Sequence, residues 1–591
     1  MGAFFLHLES EPFDRKAVEL VFSRKSFPAP RGVRLGEWTL WHFAKQLVGG
    51  VNHVELPGGD AIYAVGTPVY RGRGYEETLG LVLADVGAGR FDPGALRGNF
   101  AMLVWVGGRL RLLTDGLGVC HLFADAAGTR VSTSFQAVLA SSMERRRLNR
   151  LAVIEKLATG YVVGSETIVE GIRRFTADPG REWQVAGLEW VPPSPGRLEL
   201  ASPATRWQDC LAEHLERLRR YFQDIGPLAR EHGVDLGLSS GYDSRLVALL
   251  TRPLGARFSV HTHWTQGVHD TEKARVEGLA RALGLPLRVT ATRPLEQLPT
   301  EELEALLRDG LYYYDGRAAD NSGAYSMTYT RWYKSTSLGE HRLRLNGEGG
   351  EIYRNYYFTS RGRLDFRTWM RNHLYYGPTP LALAGTGLEE EMTEHVLGKL
   401  SARLDTDVRG TVDLAVTRAY YGEVRLPECE GALANADAQV THFLMPFAEP
   451  ELQRAAYRLT AQVGVSGRFQ AGLIERLDPA IAALPSHHGF PISAEPLGHR
   501  LKAGLRGYLP DTFWLRRKAR RFADPRFGEA GARSFQQARA RSAVLREAEE
   551  CLRAFVPGFD LAMALREPPG KATALYLGLL LREFSAQLRP D

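Results

Sequence analysis

The chain of 591 residues is 44% hydrophobic and 24% charged and has a formal net charge of +6. Its length is too great for one compact core, so we expect two or more domains, and its composition is typical of a soluble globular protein. No apolar run approaches the ~20 residues of a membrane span. The four cysteines have no CxxC spacing, which argues against a disulfide framework and a zinc knuckle. No secretory leader is recognised after Met1, so the cytoplasm is the expected compartment.

The first 200 residues carry short apolar runs separated by glycine and aspartate, which predict strands of antiparallel sheets. The runs cover residues 61–65, 81–84, 100–106, 110–114 and 130–134. Gly107-Gly108 between two of them predicts a hairpin turn. Two helices are predicted at 135–142 and 151–159. A stretch rich in Gly, Pro and Ser at 187–203 predicts a linker between a domain of residues 1–200 and a domain of residues 201–591.

The second domain opens with an amphipathic helix predicted at 207–221. The next stretch, LGLSSGYDSRLVALL at 236–250, predicts a strand, a polar turn at 239–244 and a helix. Such a turn presents unpaired backbone N–H groups at the positive end of a helix dipole, which is a seat for phosphate. The turn has neither the Gly-Lys-Ser/Thr of a Walker A loop nor GxGxxG spacing.

Alternating strands and helices continue after this turn. A strand is predicted at 258–262, a helix at 271–283 and a strand at 287–290, which together indicate a doubly wound parallel sheet. Ligands of such sheets bind beyond the carboxyl ends of the strands. Further along, a β-type segment enters the glycine-rich turn Asn346-Gly347-Glu348-Gly349-Gly350-Glu351. Its two carboxylates suit Mg²⁺ bound to a nucleotide, and its glycines permit close backbone approach.

These motifs resemble those of the asparagine synthetase superfamily. The PP-loop ATP pyrophosphatase domain of that family has S-G-G-x-D-S, similar to 239–244 with Ser240 at the first glycine, and G-E-G-x-D-E, similar to 347–352 with Ile352 at the last acid. Its N-terminal glutaminase domain has G-x-F-A and T-D-x-x-G, similar to 98–101 and 114–118.

The resemblance implies an α/β protein of two domains. Residues 1–200 would form an Ntn-hydrolase-like α+β sandwich of antiparallel sheets, and residues 201–591 a doubly wound parallel-sheet synthetase domain with a helical C-terminal part. ATP and Mg²⁺ are the implied cofactors.

Particular residues take roles by the same resemblance. The phosphates would be held by Ser239, Ser240, Gly241 and Ser244, Mg²⁺ by Asp243 and Glu351, and adenine and ribose by Leu238, the backbone of Val260, Asn346 and Gly347. The catalytic group near the reacting acyl centre would be Glu348, with Glu351 beside it. His487 stands where the family has a lysine that stabilises charge in the amide-forming step, and it could serve if protonated. Asp320 and Asn321 are expected to meet the acceptor.

The implied reaction is adenylation of a carboxylate with release of pyrophosphate, followed by attack of an amine or ammonia to form an amide. Active glutaminases of the family use an N-terminal cysteine, whereas this chain has Gly2 and its nearest cysteine is Cys120. Nitrogen is therefore expected from ammonia, a partner amidotransferase or a substrate amine, as in the similar β-lactam synthetases and lasso-peptide cyclases. The expected partners are a small-molecule or peptide carboxylate and amine, a precursor peptide, and a second copy of the chain in a homodimer.

Two other functions stay open from the sequence. A tRNA-modifying PP-loop enzyme would suit the basic cluster at 516–521, although such clusters are more often solvated helix faces and nucleic acid is not an expected partner. A non-catalytic pseudoenzyme would suit the departures at Ser240, Ile352 and His487. A zinc site formed by His261, His263, His269 and Asp270 is disfavoured because no second His/Cys pair is near.

Overall fold

The structure is a computed structural model of mixed α/β architecture. It describes residues 2–48, 51–176, 187–191, 206–265, 269–317, 327–359, 361–459, 463, 466–524 and 526–589. The predicted domain boundary near residue 200 lies outside these ranges, as do Asp320 and Asn321.

Two sheets pack face to face in the first part of the chain. The first is antiparallel and has the strand order Ile172–Arg174, Phe123–Asp125, Arg130–Ser132, Ala3–Leu8, Trp38–Phe43 and Arg31–Leu35. The second has the order Leu188–Val191, Arg109–Thr114, Phe100–Val106, Ala61–Gly66 and His53–Glu55, and is antiparallel except for its first pair. Phe4 and Leu6 of the first sheet share a buried core with Tyr63 and Leu103 of the second. The alternation of apolar residues on each strand produces this shared core.

Helices cover the outer faces of these sheets. Arg15–Arg24 and Phe135–Ala140 pack on the first sheet, and Tyr75–Gly87 packs on the second. The prediction of a strand at 81–84 is therefore wrong. Leu79, Val82 and Leu83 are all buried, at the spacing of one helix face, and a window of four residues is too short to separate that period from a strand.

Other local predictions for the first part are confirmed. Strands occur where four of the five apolar runs predicted them, and helices occur at Phe135–Ala140 and Arg150–Thr159. Gly107 and Gly108 join two antiparallel strands with φ of 57° and 74°. Positive φ at both central residues is the requirement of a tight hairpin turn, and glycine meets it without strain.

A sheet of five parallel strands organises the second part. Its spatial order is Leu287–Ala291, Phe258–Trp264, Val234–Gly237, Leu343–Leu345 and His442–Leu444. The chain progresses to one side of Val234–Gly237 and then returns to its other side. The carboxyl end of Val234–Gly237 is therefore a topological switch point, where sheets of this kind leave a crevice.

Helices account for most of the remaining second part. They are Trp207–Asp224, Gly226–His232, Asp243–Thr251, Asp270–Leu283, Thr300–Tyr313, Arg331–Leu338, Phe366–His373, Thr379–Leu383, Glu389–Arg403, Leu414–Tyr420, Gly431–Val440, Pro450–Tyr457, Arg468–Leu477, Pro479–Ala482, Leu497–Tyr508, Asp511–Ala523, Glu529–Arg541, Ala543–Phe555, Leu561–Ala564 and Pro568–Glu583. Short strand pairs join Val69–Tyr70 to Leu96–Arg97, Arg363–Asp365 to Thr411–Asp413, and Arg146–Arg147 to Leu588–Arg589. Within the described residues, no helix has both the length and the apolar character needed to cross a membrane.

A ten-residue π-helix, Tyr421–Glu430, runs through the interior between the helices Leu414–Tyr420 and Gly431–Val440. All ten of its residues are buried, including an arginine and three glutamates. Wide helical turns of this kind are rare and are found frequently at functional sites. The basic cluster at 516–521 lies by contrast on the helix Asp511–Ala523, and its arginines are exposed, as expected of a solvated face.

Candidate functional site

Two loops meet at the switch point of the parallel sheet. The serine loop (residues 239–244) follows the strand Val234–Gly237, and the glycine loop (residues 346–351) follows the neighbouring strand Leu343–Leu345. A Cβ placed on Gly347 would lie 2.9 Å from the backbone nitrogen of Ser244. A Cβ on Gly350 would lie 1.9 Å from Oδ1 of Asp243. The two loops are therefore in contact, and both glycines are needed for that contact.

The contact at Gly350 makes a first prediction. Replacing Gly350 with alanine is expected to push the Asp243 carboxylate out of the site, because separations under 3 Å are not tolerated by real Cβ atoms. Any nucleotide affinity of the protein should fall by about tenfold or more. Nucleotide binding measured by calorimetry tests this, with Gly362→Ala as the control because a Cβ there meets no atom within 4 Å. Equal affinity of Gly350→Ala and wild type would contradict it.

The serine loop is held by hydrogen bonds from its own hydroxyls and from the next helix. Ser244 Oγ accepts from the N–H of Ser239 at 3.1 Å. Ser240 is fully buried, and its N–H and Oγ donate to the two carboxylate oxygens of Glu272 at 2.7 and 2.5 Å. Ser240 does not have a positive φ, so serine is accommodated without the strain that the replacement of glycine could cause. The Glu272 carboxylate thus accepts hydrogen bonds from a loop that was predicted to bind phosphate.

The carboxylates of Asp243 and Glu351 face each other across the two loops. Arg354 lies between them, with Nη2 at 2.8 Å from Glu351 Oε1 and 3.6 Å from Asp243 Oδ2. Tyr421 donates its hydroxyl to Glu351 Oε2 at 2.7 Å, and the Gln470 amide donates to Asp243 Oδ1. The pair of acids is therefore arranged to hold a cation, and a guanidinium takes that position here.

The protonation of the acids follows from their surroundings. Burial raises the pKa of Asp243 to about 6, against the opposing effect of Arg354. Burial alone would also raise the pKa of Glu351, but Arg354 and the Tyr421 hydroxyl outweigh it and hold that pKa below its ordinary value. One of the two carboxylates thus stays charged over a wide pH range, while the other titrates in the mildly acidic range.

Glu348 lies in a different electrostatic environment. The nearby Glu430 carboxylate, followed by burial and by Glu351, raises the pKa of Glu348 well above its ordinary value. Glu430 ends the buried π-helix and pairs with Arg425 at 3.0 Å. The raised pKa of Glu348 favours its protonated form, whereas the lowered pKa of Glu351 favours its charged form. Pairs of carboxyl groups whose environments separate their pKa values are typical of active sites.

His487 reaches the serine loop from a distant part of the chain. A Cβ on Gly241 would lie 3.9 Å from His487 Nδ1, and the rings of His487 and Tyr242 are 6.1 Å apart. Burial, and then the neighbouring His488 and Arg354, lower the pKa of His487 to about 4. The imidazole is therefore neutral at neutral pH. The prediction that His487 could serve if protonated stays a prediction, and in this structure burial and nearby positive charge oppose that protonation.

The position of His487 depends on a buried arginine. Arg245 is fully buried next to the serine loop, and its guanidinium donates to the backbone oxygens of Ser240 at 3.2 Å and Pro485 at 3.0 Å. It donates also to the oxygens of Ile481 at 3.0 Å and Leu484 at 3.1 Å. The Arg245 side chain therefore links the segment that carries His487 to the serine loop through hydrogen bonds.

The residues predicted to hold adenine and ribose are divided by the fold. Leu238 follows the first strand directly, and its N–H donates to the oxygen of His261 at 2.8 Å. Asn346 lies at the start of the glycine loop and accepts from the N–H of Glu348 at 2.8 Å. Val260 lies within its strand, is fully buried and donates its N–H to Pro286 at 2.9 Å. The sheet uses the Val260 N–H, so that group is not presented to the loops.

Several residues of the site were missed by sequence reasoning. They are Arg245, Glu272, Arg354, Tyr421, Glu430 and Gln470. Arg354 could have been found, since an arginine three residues after an acid in a turn can form an ion pair with it. Arg245 could have been noticed as a charge inside an apolar helix. The other four come from three helices, with Tyr421 and Glu430 at the two ends of the π-helix, and nothing in their local sequence connects them to the loops.

The motifs of the first part that resemble a glutaminase, and the positions expected for its nucleophile, are mostly buried in this structure. A Cβ on Gly2 would lie 1.9 Å from the oxygen of Phe43, so this position has no room for a side chain. Cys120 is buried, which raises the pKa of its thiol well above the ordinary value. Asp115 accepts backbone N–H groups of Val119 at 2.9 Å and Cys120 at 2.7 Å. Cys120 is therefore a core residue, not a reactive thiol.

The histidines weighed as zinc ligands belong to the sheet and its edge. His261 Nδ1 lies 2.8 Å from Asp235 Oδ1, and Asp235 is bound on its other oxygen by Arg344 at 2.9 Å. The rings of His263 and His269 are 4.8 Å apart. In the described ranges, no group of three or more His, Cys, Asp or Glu side chains is arranged to hold a metal ion.

The chain was compared with models of protein families and with curated proteins. Neither comparison finds a match.

Proposed function

We propose that the protein is an ATP-dependent ligase that forms carbon–nitrogen bonds, built like the asparagine synthetases. The first part would be an Ntn-like domain without glutaminase activity, and the second a PP-loop ATP pyrophosphatase domain. The observation that carries this proposal is the contact of the serine and glycine loops at the switch point of the parallel sheet. Two loops that each suit part of a nucleotide–metal complex lie where such sheets bind ligands.

The charges of the site support the same proposal. The backbone and hydroxyls of the serine loop would hold the β- and γ-phosphates of ATP. Asp243 and Glu351 already accommodate a cation in Arg354, and would hold Mg²⁺, which prefers one or two carboxylates beside phosphate oxygens. Bound there, the metal would neutralise charge on the departing pyrophosphate. Arg354 would then be released toward the phosphates.

The chemistry would take place beside Glu348. A carboxylate oxygen of the substrate would bond to the α-phosphorus of ATP while the bond to pyrophosphate breaks, and an amine would then replace AMP at the carbonyl carbon. Because its raised pKa favours the protonated form, Glu348 would approach an anionic substrate with less charge repulsion and would donate a hydrogen bond to it. With no space for a nucleophilic side chain at position 2, nitrogen would come from ammonia, a partner amidotransferase or a substrate amine.

Pyrophosphate release tests the proposal. The full chain would be incubated with ATP, Mg²⁺ and a panel of carboxylic acids paired with amines, including short peptides. AMP and pyrophosphate should appear together and in equal amounts with at least one acid. Formation of ADP and phosphate in their place would rule out an acyl-adenylate.

A second candidate, a non-catalytic nucleotide-site homologue, is favoured by one observation. Glu272 and Arg354 occupy the positions proposed for phosphate and for Mg²⁺. If these side chains close the site permanently, ATP·Mg²⁺ will not bind at all.

Glu272→Gln separates the two candidates. In a working site, removing one negative charge from the phosphate seat should raise the affinity for ATP·Mg²⁺ about fivefold, while the glutamine oxygen still accepts from Ser240. Calorimetric titration measures this, with Glu277→Gln as the control, because Glu277 pairs with Lys273 of the same helix and its side chain is 39% exposed. A site that binds ATP·Mg²⁺ in neither form would favour the non-catalytic candidate.

A further inference from the structure

A cavity separate from the two loops lies between the first and second parts of the chain. It has about 540 Å³ of empty space, a volume that includes its opening to solvent. From the first part it is lined by the helix Arg150–Thr159, the segment that follows this helix, and Arg174. From the second part it is lined by Arg317, by Glu428 of the π-helix and by Leu580.

A buried lysine faces this cavity without a partner. Lys156 is 5% exposed and lines the cavity wall. Within the described part of the chain its ammonium forms no hydrogen bond or ion pair, although Glu428 is near enough to raise its pKa. Burial, with Arg317 nearby, lowers the pKa of Lys156 to about 8, so the amine is mostly charged at neutral pH. A buried ammonium without a hydrogen-bond acceptor destabilises a fold, and its presence in a cavity wall points to an anionic ligand.

Arg174 is a second buried cation in the same wall. The residue is 4% exposed, and its Nη2 pairs with Glu428 and lies 3.3 Å from the oxygen of Gly164. Its Nη1 is buried and has no hydrogen-bond partner among the described residues. A guanidinium can donate through both terminal nitrogens to a carboxylate or phosphate, and one of these two nitrogens has no acceptor here.

The remaining wall sets the character of the ligand. Arg317 adds a third positive charge and lies over the ring of Phe123 at 5.4 Å. Two acids also line the wall. Glu428 is paired with Arg174, and Glu166 is paired with Lys399 at 3.1 Å. The other lining groups are mainly apolar or aromatic: Phe123, Phe135, Tyr161, Val162, Ile168 and Leu580. The wall therefore combines excess positive charge with a large apolar surface.

We propose that this cavity binds an organic carboxylate, with the anionic group on Lys156 and Arg174 and an apolar body against the aromatic wall. The site is distinct from the two loops and does not require the proposed ligase to be correct. A carboxylate suits it better than inorganic phosphate, because most of the wall is apolar and would stay without a partner around a small, fully polar ion.

Calorimetric titration of the full chain without nucleotide tests this, with octanoate and 3-phenylpropionate as probes. At least one probe should bind, while 1-octanol and inorganic phosphate should bind at least about tenfold more weakly. Lys156→Met should lower the affinity for the bound probe by about tenfold or more. Lys16→Met, on the exposed side of the helix Arg15–Arg24, should leave it unchanged.

Thermal unfolding separates a ligand-binding lysine from a structural one. Without ligand, Lys156→Met should raise the unfolding midpoint by about 2 °C, because an unpaired buried charge is replaced by an apolar chain of similar length. If neither carboxylate binds, if 1-octanol binds as well as octanoate, or if Lys156→Met binds the probe like wild type, the proposal is overturned. A lower midpoint for Lys156→Met with unchanged binding would assign the lysine a structural role.

Discussion

Replacing Asp243 with asparagine is expected to lower ATP-dependent pyrophosphate release by about 100-fold or more while the fold stays intact. Asp243 begins the helix Asp243–Thr251 and faces Glu351 across the glycine loop. Asparagine keeps the size of the side chain but removes the charge that the proposed Mg²⁺ site requires. The measurement is a coupled pyrophosphate assay on the acid and amine that give the highest rate with wild type.

The control for Asp243→Asn is Asp365→Asn. Asp365 caps the helix Phe366–His373 by accepting from the N–H of Thr368 at 2.8 Å, and asparagine can do the same. Its rate should stay within about twofold of wild type. A normal rate for Asp243→Asn would remove this carboxylate from the mechanism.

The pH dependence gives an independent readout of the same residue. Burial raises the pKa of Asp243 to about 6. The affinity of the protein for ATP·Mg²⁺ should therefore fall as the pH decreases below 6, because a proton then competes with the metal for this carboxylate. The stability of the fold should change with pH in the opposite direction to the ATP·Mg²⁺ affinity. A folded-state pKa above the unfolded one stabilises the fold at low pH, and this contribution is lost as the pH rises from 4 to 6. Asp243→Asn should therefore be at least as stable as wild type at pH 7, and show no such loss of stability with rising pH.

Arg245→Met is expected to destabilise the protein by about 4 kcal/mol and to abolish pyrophosphate release. The guanidinium is fully buried and donates to four backbone oxygens, which methionine would leave without donors. The segment of His487 would then lose its attachment to the serine loop. Urea unfolding followed by circular dichroism gives the stability, and the pyrophosphate assay gives the rate.

Arg252→Met is the matched control for Arg245→Met. Arg252 follows the same helix and reaches the same segment through Asp478 at 3.6 Å, but its side chain is 46% exposed. Such an exposed ion pair contributes less than about 1 kcal/mol. If the two variants have equal stabilities, the role assigned to the buried arginine is wrong.

Much of the local structure could be predicted because it depends on neighbouring residues. The strands and helices around the serine loop follow from apolar periodicity and from turn residues, and they occur within a few residues of their predicted positions. The segment at 81–84 shows the limit of this reasoning, since four apolar residues fit a strand and a buried helix equally well. The order of strands in the parallel sheet was not predictable in the same way. It brings His442–Leu444 beside Leu343–Leu345 across almost a hundred residues of intervening helices.

By itself, the sequence determined the two polar loops, their acids and glycines, and the glycine at position 2, because each of these is a property of a few consecutive residues. The tertiary structure decided that the loops touch, that Arg354 pairs with Glu351, that Glu272 accepts from Ser240, and that burial lowers the pKa of His487. It also placed Lys156 and Arg174 in one cavity wall. Charge, burial and hydrogen-bond partners depend on which distant segments pack together, and a linear pattern of residues carries little information about that packing.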